Sequence, residues 1–418
     1  MGDSVSNDCF IIKGTELVKV NCNAESVIIP DGIMSIGDSA FEYCTNLKSI
    51  IISDDVLYIG NYAFRGCTNL KNVIIGNCVT FIGKVAFSGC INLESISFSN
   101  NLVIIESSAF SKCKSLKSIF IPGDVEHIGE GAFSNCPSLE SIVVDNNNRK
   151  YDSRDNCNAI IETDSDTLLV GCKSTIIPKS VAGIASSAFF GCTTLEKIII
   201  PENVEDISNY AFTDCSGLKS IIVEENNQVF DSRDDCNAII KTDTDTLLQG
   251  CSRTIIPSSV KIIGKGAFHC CTSLESIIIP NGVKTIGDSA FYGCQNLSGA
   301  VISNSVETIG NHSFQLCKLS SVIIPSGVKT IGEYAFWGCG NLTNILFSNE
   351  VINIGGNAFV GCGELKSITI PKSVKKIGEY AFYNCTNLTI YCEAVSKPNG
   401  WSSDWNPDNR PVVFGYKR

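Results

Sequence analysis

Apolar and polar positions along this chain follow a beat that restarts every 23 residues. The stretch from Leu47 to Asn69, LKSIIISDDVLYIGNYAFRGCTN, lies over LKNVIIGNCVTFIGKVAFSGCIN from Leu70 and over LESISFSNNLVIIESSAFSKCKS from Leu93. The shared pattern is L-x-x-I-x-I-P-x-x-V-x-x-I-G-x-x-A-F-x-x-C-x-x. Its opening predicts a strand whose Leu47, Ile50 and Ile52 face inward. Proline at the seventh position (Pro30, Pro122, Pro201, Pro280, Pro325, Pro371) cannot donate to a ladder and should end that strand. Val56, Ile59, Ala63, Phe64 and Cys67 then bring the chain back under the sheet. The recurring glycine, Gly60 and its counterparts, predicts a bend that needs freedom in φ. The segment from there through Ala-Phe is too short for a full helix and predicts a turn or a short 3-10 piece. Phe64 and its equivalents should stack as a buried column.

Thirteen cysteines hold one place in the unit, from Cys44 and Cys67 through Cys362 and Cys385. Their step is 23 residues except once, when it is 22, and twice, when it is 56. Thirteen copies of an L-x-x-L-x-L strand and a loop of fixed length predict a leucine-rich-repeat solenoid. We expect a right-handed coil with a parallel β-sheet on one face, short turns or 3-10 segments on the other, and two β-hairpin insertions. Each turn would touch only its neighbours, so length does not translate into two or three globular domains.

The ends and the long steps depart from the beat. Residues 1–23 contain Phe10-Ile11-Ile12, a turn at Lys13-Gly14-Thr15, and Leu17-Val18-Lys19-Val20, which predict a capping hairpin. Cys9 and Cys22 flank it as a candidate disulfide. The solenoid proper should run over 24–392, with irregular insertions at about 145–178 and 224–257. YDSRDNCNAIIETDSDTLLVGCKSTIIP from Tyr151 and FDSRDDCNAIIKTDTDTLLQGCSRTIIP from Phe230 each place two apolar strands around an acidic turn, a hairpin expected to project. Cys157 with Cys172, and Cys236 with Cys251, lie equidistant from the turn centre. Each pair is a candidate cross-strand disulfide, with buried free thiols as the alternative. Residues 393–418, with Trp401 and Trp405, read as a C-terminal cap.

Composition narrows the function classes. A net charge of −11, from 32 Lys+Arg against 43 Asp+Glu, argues against nucleic acid, whose binding draws on basic patches. Apolar residues recur at fixed offsets without a run long enough for a transmembrane helix. MGDSVSNDCFIIKG lacks the basic start and apolar core of a signal peptide, which leaves the cytosol, another export route or a removed leader open. Cysteine is only about 5% of a long chain, below the range of disulfide scaffolds, and the regular set reads as small buried hydrophobes.

No catalytic constellation emerges. His127, His269 and His312 fall at different unit positions in scattered repeats, whereas a triad or zinc site needs them gathered. His269-Cys270-Cys271 looks like a metal cluster, yet Cys271 belongs to the buried set. Asp152 and Asp155, like Asp231, Asp234 and Asp235, raise a calcium reading that lacks EF-hand spacing. We therefore expect no enzyme, no cofactor and no metal.

The informative surface is the outward face of the strand. Its fifth position carries Ile51, Ile74, Phe120, Val143, Ile199, Ile222, Ile278, Val301, Ile323 and Leu346, interrupted by Ser97 and Thr369. Stacked at strand spacing these make a long apolar stripe, which points to a partner; strand preference for β-branched residues is the competing explanation. L-x-S-I-x-I-P, I-G-x-x-A-F-x-x-C-x-x-L, the YDSRDNCNAIIET insertion and the IYCEA…KPNGW terminus resemble the BspA-like leucine-rich-repeat family, the Treponema-type class. The resemblance spans Ala24 to Trp405. It implies a surface or secreted protein of adhesive character that binds a host matrix or cell-surface protein, or a second copy of itself, without catalysis. A structural scaffold that self-assembles through the same face is the alternative.

Overall fold

The computed structural model describes residues 10–20 and 24–417. Each repeat forms one turn of a parallel β-solenoid of leucine-rich repeats, about 17 turns with almost no helix. The chain divides into two compact units, Met1–Glu196 with Asn203–Cys215, and Lys197–Glu202 with Ser216–Arg418.

The period-two segment of the repeat forms the expected ladder. In the first unit Ser26–Ile28, Ser49–Ile51 and Asn72–Ile74 pair in parallel register, and Ser118–Ile121 pairs with Ser141–Val144. In the second, Lys197–Ile200 pairs with Ser220–Val223, Ser276–Ile279 with Gly299–Ile302, and Ser321–Ile324 with Asn344–Phe347. Side chains alternate as a pleat requires: Ile119 and Ile121 are buried while Ser118 and Phe120 are exposed. Before five of the six prolines the strand stops at the preceding residue, Ile121, Ile200, Ile279, Ile324 and Ile370, and before Pro30 it ends at Ile28.

A second parallel ladder occupies the side where short turns or 3-10 segments were expected. Two-residue strands pair there from repeat to repeat: Ser35–Ile36, Tyr58–Ile59, Phe81–Ile82, Ile104–Ile105 and His127–Ile128 in the first unit. Thr285–Ile286, Thr308–Ile309, Thr330–Ile331, Asn353–Ile354 and Lys376–Ile377 do the same in the second. Two residues are too few for an alternation to show in sequence. The N-terminal hairpin, Phe10–Lys13 against Glu16–Val20, joins this ladder through Glu16 and Leu17 opposite Ser35 and Ile36.

The glycine after the short strand serves a different purpose from the one expected. Gly60, Gly83 and Gly332 are absent from the positive-φ residues. Their need is close approach: a Cβ on Gly83 would lie 2.6 Å from the Gly60 carbonyl carbon, and one on Gly332 would lie 2.5 Å from the Asn311 nitrogen. Positive φ falls instead two residues to either side of the phenylalanine. Tyr62 (φ 58°) and Gly66 (φ 69°) flank Phe64, and Val85 (φ 59°) and Gly89 (φ 77°) flank Phe87. The segment between them is a string of turns, and among the described residues 3-10 geometry occurs only in the insertions, at Arg154–Asn156 and Arg233–Asp235.

These reversals carry Ala and Phe into the core. Ala63, Phe64, Ala86 and Phe87 are wholly buried, and the rings of Phe41, Phe64, Phe87, Phe110 and Phe133 stack at centroid distances from 4.8 to 5.4 Å. In the second unit Phe268, Phe291, Phe314, Phe336, Phe359 and Phe382 continue at 4.9 to 5.6 Å. Each buried ring contributes roughly 1.5–3 kcal/mol of transfer free energy. Trp405 closes the second column edge-on to Phe382 at 5.8 Å, and the Trp401 indole N–H donates to the Val374 carbonyl. Trp401 and Trp405 thus pack together against the last ring, at 4.8 Å from each other.

The insertions alter this corner. Gly171 takes the place of a phenylalanine: its N–H donates to the Ala188 carbonyl as a Phe N–H would, and a Cβ there would lie 2.2 Å from the Phe189 ring. Gly250 has the same relation to Phe268. The hairpin strands Ala159–Glu162 and Thr167–Gly171 do not project. Tyr151–Asp152 pairs on one side and Gly183–Ile184 on the other, so both edges are used. Ile160, Ile161 and Leu168 are fully buried because the hairpin is apolar on both faces; only the turn at Asp164 and Ser165 is exposed.

Val85 is a β-branched residue held at φ 59°, where an L side chain costs about 1–2 kcal/mol. Gly131 and Gly266 occupy the same place in other repeats. Val85→Gly should therefore raise unfolding stability by about 1 kcal/mol, read as a higher urea midpoint at unchanged slope. A lower midpoint would contradict the left-handed corner.

Candidate binding surface

The first ladder leaves one apolar side chain per repeat facing out. Ile51, Ile74, Phe120 and Val143 in the first unit, and Ile199, Ile222, Ile278, Val301, Ile323 and Leu346 in the second, are between 39 and 68% exposed. They are direct cross-strand partners: Ile51 with Ile74, Phe120 with Val143, Ile199 with Ile222, Ile278 with Val301, and Ile323 with Leu346. Partners of this kind stand one strand spacing apart, about 4.8 Å, so each column is continuous along its sheet.

Three more isoleucines belong to the face. Ile28 (65% exposed) precedes Ile51, and Ile176 (77%) and Ile255 (76%) lie where the insertions rejoin the sheet. Aligning S-T-I-I-P and R-T-I-I-P with the repeat at their proline is the signal that finds the last two. Ile255 and Ile278, with Thr254, Ser276 and Pro280, border a hollow of about 270 Å³. Beside the column, charged side chains pair between repeats, Lys48 with Glu25 at 2.6 Å and Lys117 with Glu94 at 3.6 Å. Exposed pairs of this type contribute little stability. They leave the apolar column as the feature that sets this face apart.

The disulfide candidates of the insertions are not brought together. Cys157, Cys172, Cys236 and Cys251 are buried thiols. A β-bulge between Ile160 and Ile161 shifts the hairpin by one residue, so Ala159 faces Gly171 and the next rung sets Asn158 opposite Cys172. The Cys172 thiol accordingly donates to the Asn158 carbonyl, and Cys251 to that of Asn237. The same bulge, between Ile239 and Ile240, displaces the second pair. Cys9 and Cys22 lie outside the described residues.

The regular cysteines are more than apolar filler. Cys67 Sγ donates to the Phe41 carbonyl one repeat back at 3.1 Å, and Cys90 to Phe64, Cys294 to Phe268, and Cys362 to Phe336 repeat the contact at 3.0 to 3.3 Å. Phe41 O also accepts the Cys44 N–H, so one carbonyl receives two donors. Cys172 keeps the series going through the first insertion, close enough that it and Cys136, after burial itself, raise the Cys192 thiol far above its usual range. Burial pushes Cys90, Cys136 and Cys339 up to about 12.

The remaining chemistry-bearing residues are engaged locally. Arg154 Nε and Nη2 hold both oxygens of Asp152 at 2.8 and 2.5 Å, and Nη1 reaches Asp166 at 2.6 Å. Arg233 grips Asp231 and Asp245 in the same way. The guanidinium forks thus occupy Asp152 and Asp231, two of the five carboxylates that the calcium reading named. No group of three or more His, Cys, Asp or Glu side chains among the described residues is placed to hold a metal. His269 stacks on Tyr292 and His312 on Tyr334, each at 4.7 Å, while His127 is exposed on the second ladder. No helix among the described residues is long and apolar enough to cross a membrane.

A parallel solenoid of this repeat, with an apolar outward column and no gathered polar centre among the described residues, defines a repeat protein of the leucine-rich class. The family model for the BspA type leucine rich repeat region matches residues 34–159, 169–238 and 250–390 in 6 copies, and the chain belongs to that family. Among solved structures it is similar to the pneumococcal vaccine antigen PcpA, at 18% identity over 100% of both chains with a TM-score of 0.52. It is also similar to a leucine-rich repeat protein from Eubacterium ventriosum, at 22% identity over 93% of this chain and 91% of that one, TM-score 0.51. A leucine rich cell surface protein from Faecalibacterium prausnitzii is 25% identical over 100% of this chain and 96% of that one, TM-score 0.47. No curated protein matches the chain.

The thiols carry a pH prediction. Their folded pKa lies above the unfolded value of 9.0, so their stabilising effect is complete below pH 9 and is lost as pH rises toward 12. Each contributes about 1.4 kcal/mol per pH unit across that window. The urea midpoint should hold level to about pH 8 and then fall steeply, with Cys90→Ala making the fall shallower by one proton. A midpoint unchanged through pH 11 would contradict buried, neutral thiols.

Proposed function

We propose that this chain is a non-enzymatic recognition protein that docks a protein partner, a host matrix or cell-surface protein, on the outward face of its first ladder. The observation that carries the proposal is the two register-paired couples Ile278–Val301 and Ile323–Leu346, from consecutive repeats of one outward face, each side chain at least half exposed. Apolar area arranged contiguously is what a monomer normally hides, and burying it against a partner supplies the main driving force of association. Family membership supports the same reading, since the resemblance implies a surface or secreted adhesive protein. The buried hairpin strands leave little for the insertions to add beyond their turns, so the reading concentrates on the column.

The test is Ile278→Asp, Val301→Asp and Ile323→Asp combined, assayed against a panel of immobilised matrix proteins. Binding should drop at least a hundredfold while the circular dichroism stays unchanged, because these side chains touch no core. Undiminished binding would refute the face as the docking surface. Sedimentation of the unaltered chain separates the scaffold reading: a dimer that the triple substitution dissolves assigns the face to a second copy.

A further inference from the structure

We infer that a trough on the phenylalanine corner of the first unit binds a carboxylated pyranose, a sugar ring of the uronic- or sialic-acid class. The trough arises from a local loss of side chains. Two residues after the phenylalanine, successive repeats carry Tyr43, Gly66, Gly89 and Lys112, so two glycines separate two large groups. One residue after it, Ser88 and Ser111 follow Arg65, and these small side chains deepen the hollow to about 490 Å³. That volume lies within the range of small-ligand clefts. Four rungs at strand spacing span about 14 Å, room for one or two sugar rings.

The end groups select the charge. The Arg65 guanidinium carbon lies 5.4 Å from the Tyr43 ring centroid and 5.6 Å from that of Tyr62, and Nη1 contacts Glu42 at 3.1 Å. The Tyr43 ring is itself laid across Gly66, where a Cβ would come within 2.5 Å of it. Arg65 is thus positioned before any ligand arrives. An arginine carries five N–H donors in a planar fork, and the Glu42 contact uses one edge of it, leaving the rest to meet a carboxylate. Lys112, exposed at the other end, adds a second cation. The tyrosine faces that Arg65 does not cover suit the C–H face of a pyranose, and the Ser88 hydroxyl donates to or accepts from its hydroxyls, while that of Ser111 accepts from Ser134 at 3.0 Å. This surface is distinct from the isoleucine column and does not depend on the reading of that face.

Saturation-transfer NMR and calorimetry on the full chain test the inference, with N-acetylneuraminic acid, glucuronic acid, glucose and acetate as probes. One or both acidic sugars should bind with a dissociation constant on the order of a millimolar, and which of them binds names the source. Arg65→Ala should weaken binding tenfold or more, and Ser88→Phe, which fills the trough with Arg65 intact, should abolish it. Ile278→Asp should leave it unchanged. Equal binding of glucose or of acetate, no binding by either acidic sugar, or binding indifferent to Ser88→Phe would overturn the proposal, provided each variant unfolds at the same urea midpoint as the parent.

Discussion

Everything in this structure rests on how closely one turn of chain approaches the next at the phenylalanine corner. There the backbone donates from Phe64 N–H to Ala86 O at 2.7 Å and from Phe336 N–H to Ala358 O at 2.8 Å. The same contact stacks the rings, seats a small residue, alanine or Ser313, before each of them, and brings the cysteine thiols of the regular repeats onto the preceding phenylalanine carbonyl. Left-handed residues on both sides make the corner sharp enough for this. Glycine before it removes the Cβ that would hold the turns apart. A side chain that widens the gap weakens the hydrogen bond, the ring stack and the thiol contact together.

That coupling explains how the insertions are accommodated. A phenylalanine at the end of the hairpin's second strand would have to share space with Phe189, so Gly171 stands there and the ring lies on its backbone. The thiol contact survives in longer form, because Cys192 donates to the Gly171 carbonyl at 3.7 Å. The hairpin adds its strands to the second ladder, where the pairing of Tyr151–Asp152 and Gly183–Ile184 satisfies both edges. Regularity of the corner thereby outlasts irregularity of the sequence.

Much of this was legible in the amino-acid order. The inward Leu, Ile, Phe and Cys recur at fixed offsets, the proline marks the strand end, and the outward isoleucines follow from period two. Other features depend on contacts between repeats that spacing does not express. The second ladder has only two residues per turn, which carries no period. The glycine of I-G reads as a flexible bend in one repeat and as a close approach only when two repeats are superposed. A single bulge moves Asn158 opposite Cys172 and separates two cysteines that symmetry about the turn had paired. The trough needs Gly66 and Gly89 side by side, a proximity that exists only across the stack.

The central claim is that the corner contact holds neighbouring turns together, and amide hydrogen exchange measures it directly. The N–H groups of Phe64, Phe87, Phe336 and Phe359, each donated to the following repeat, should exchange only when their unit opens globally, with the same free energy as the first ladder's Ile50 and Ile345. Exchange of those phenylalanine amides at the pace of the exposed turn at Asp164 and Ser165 would show that the turns are not joined there.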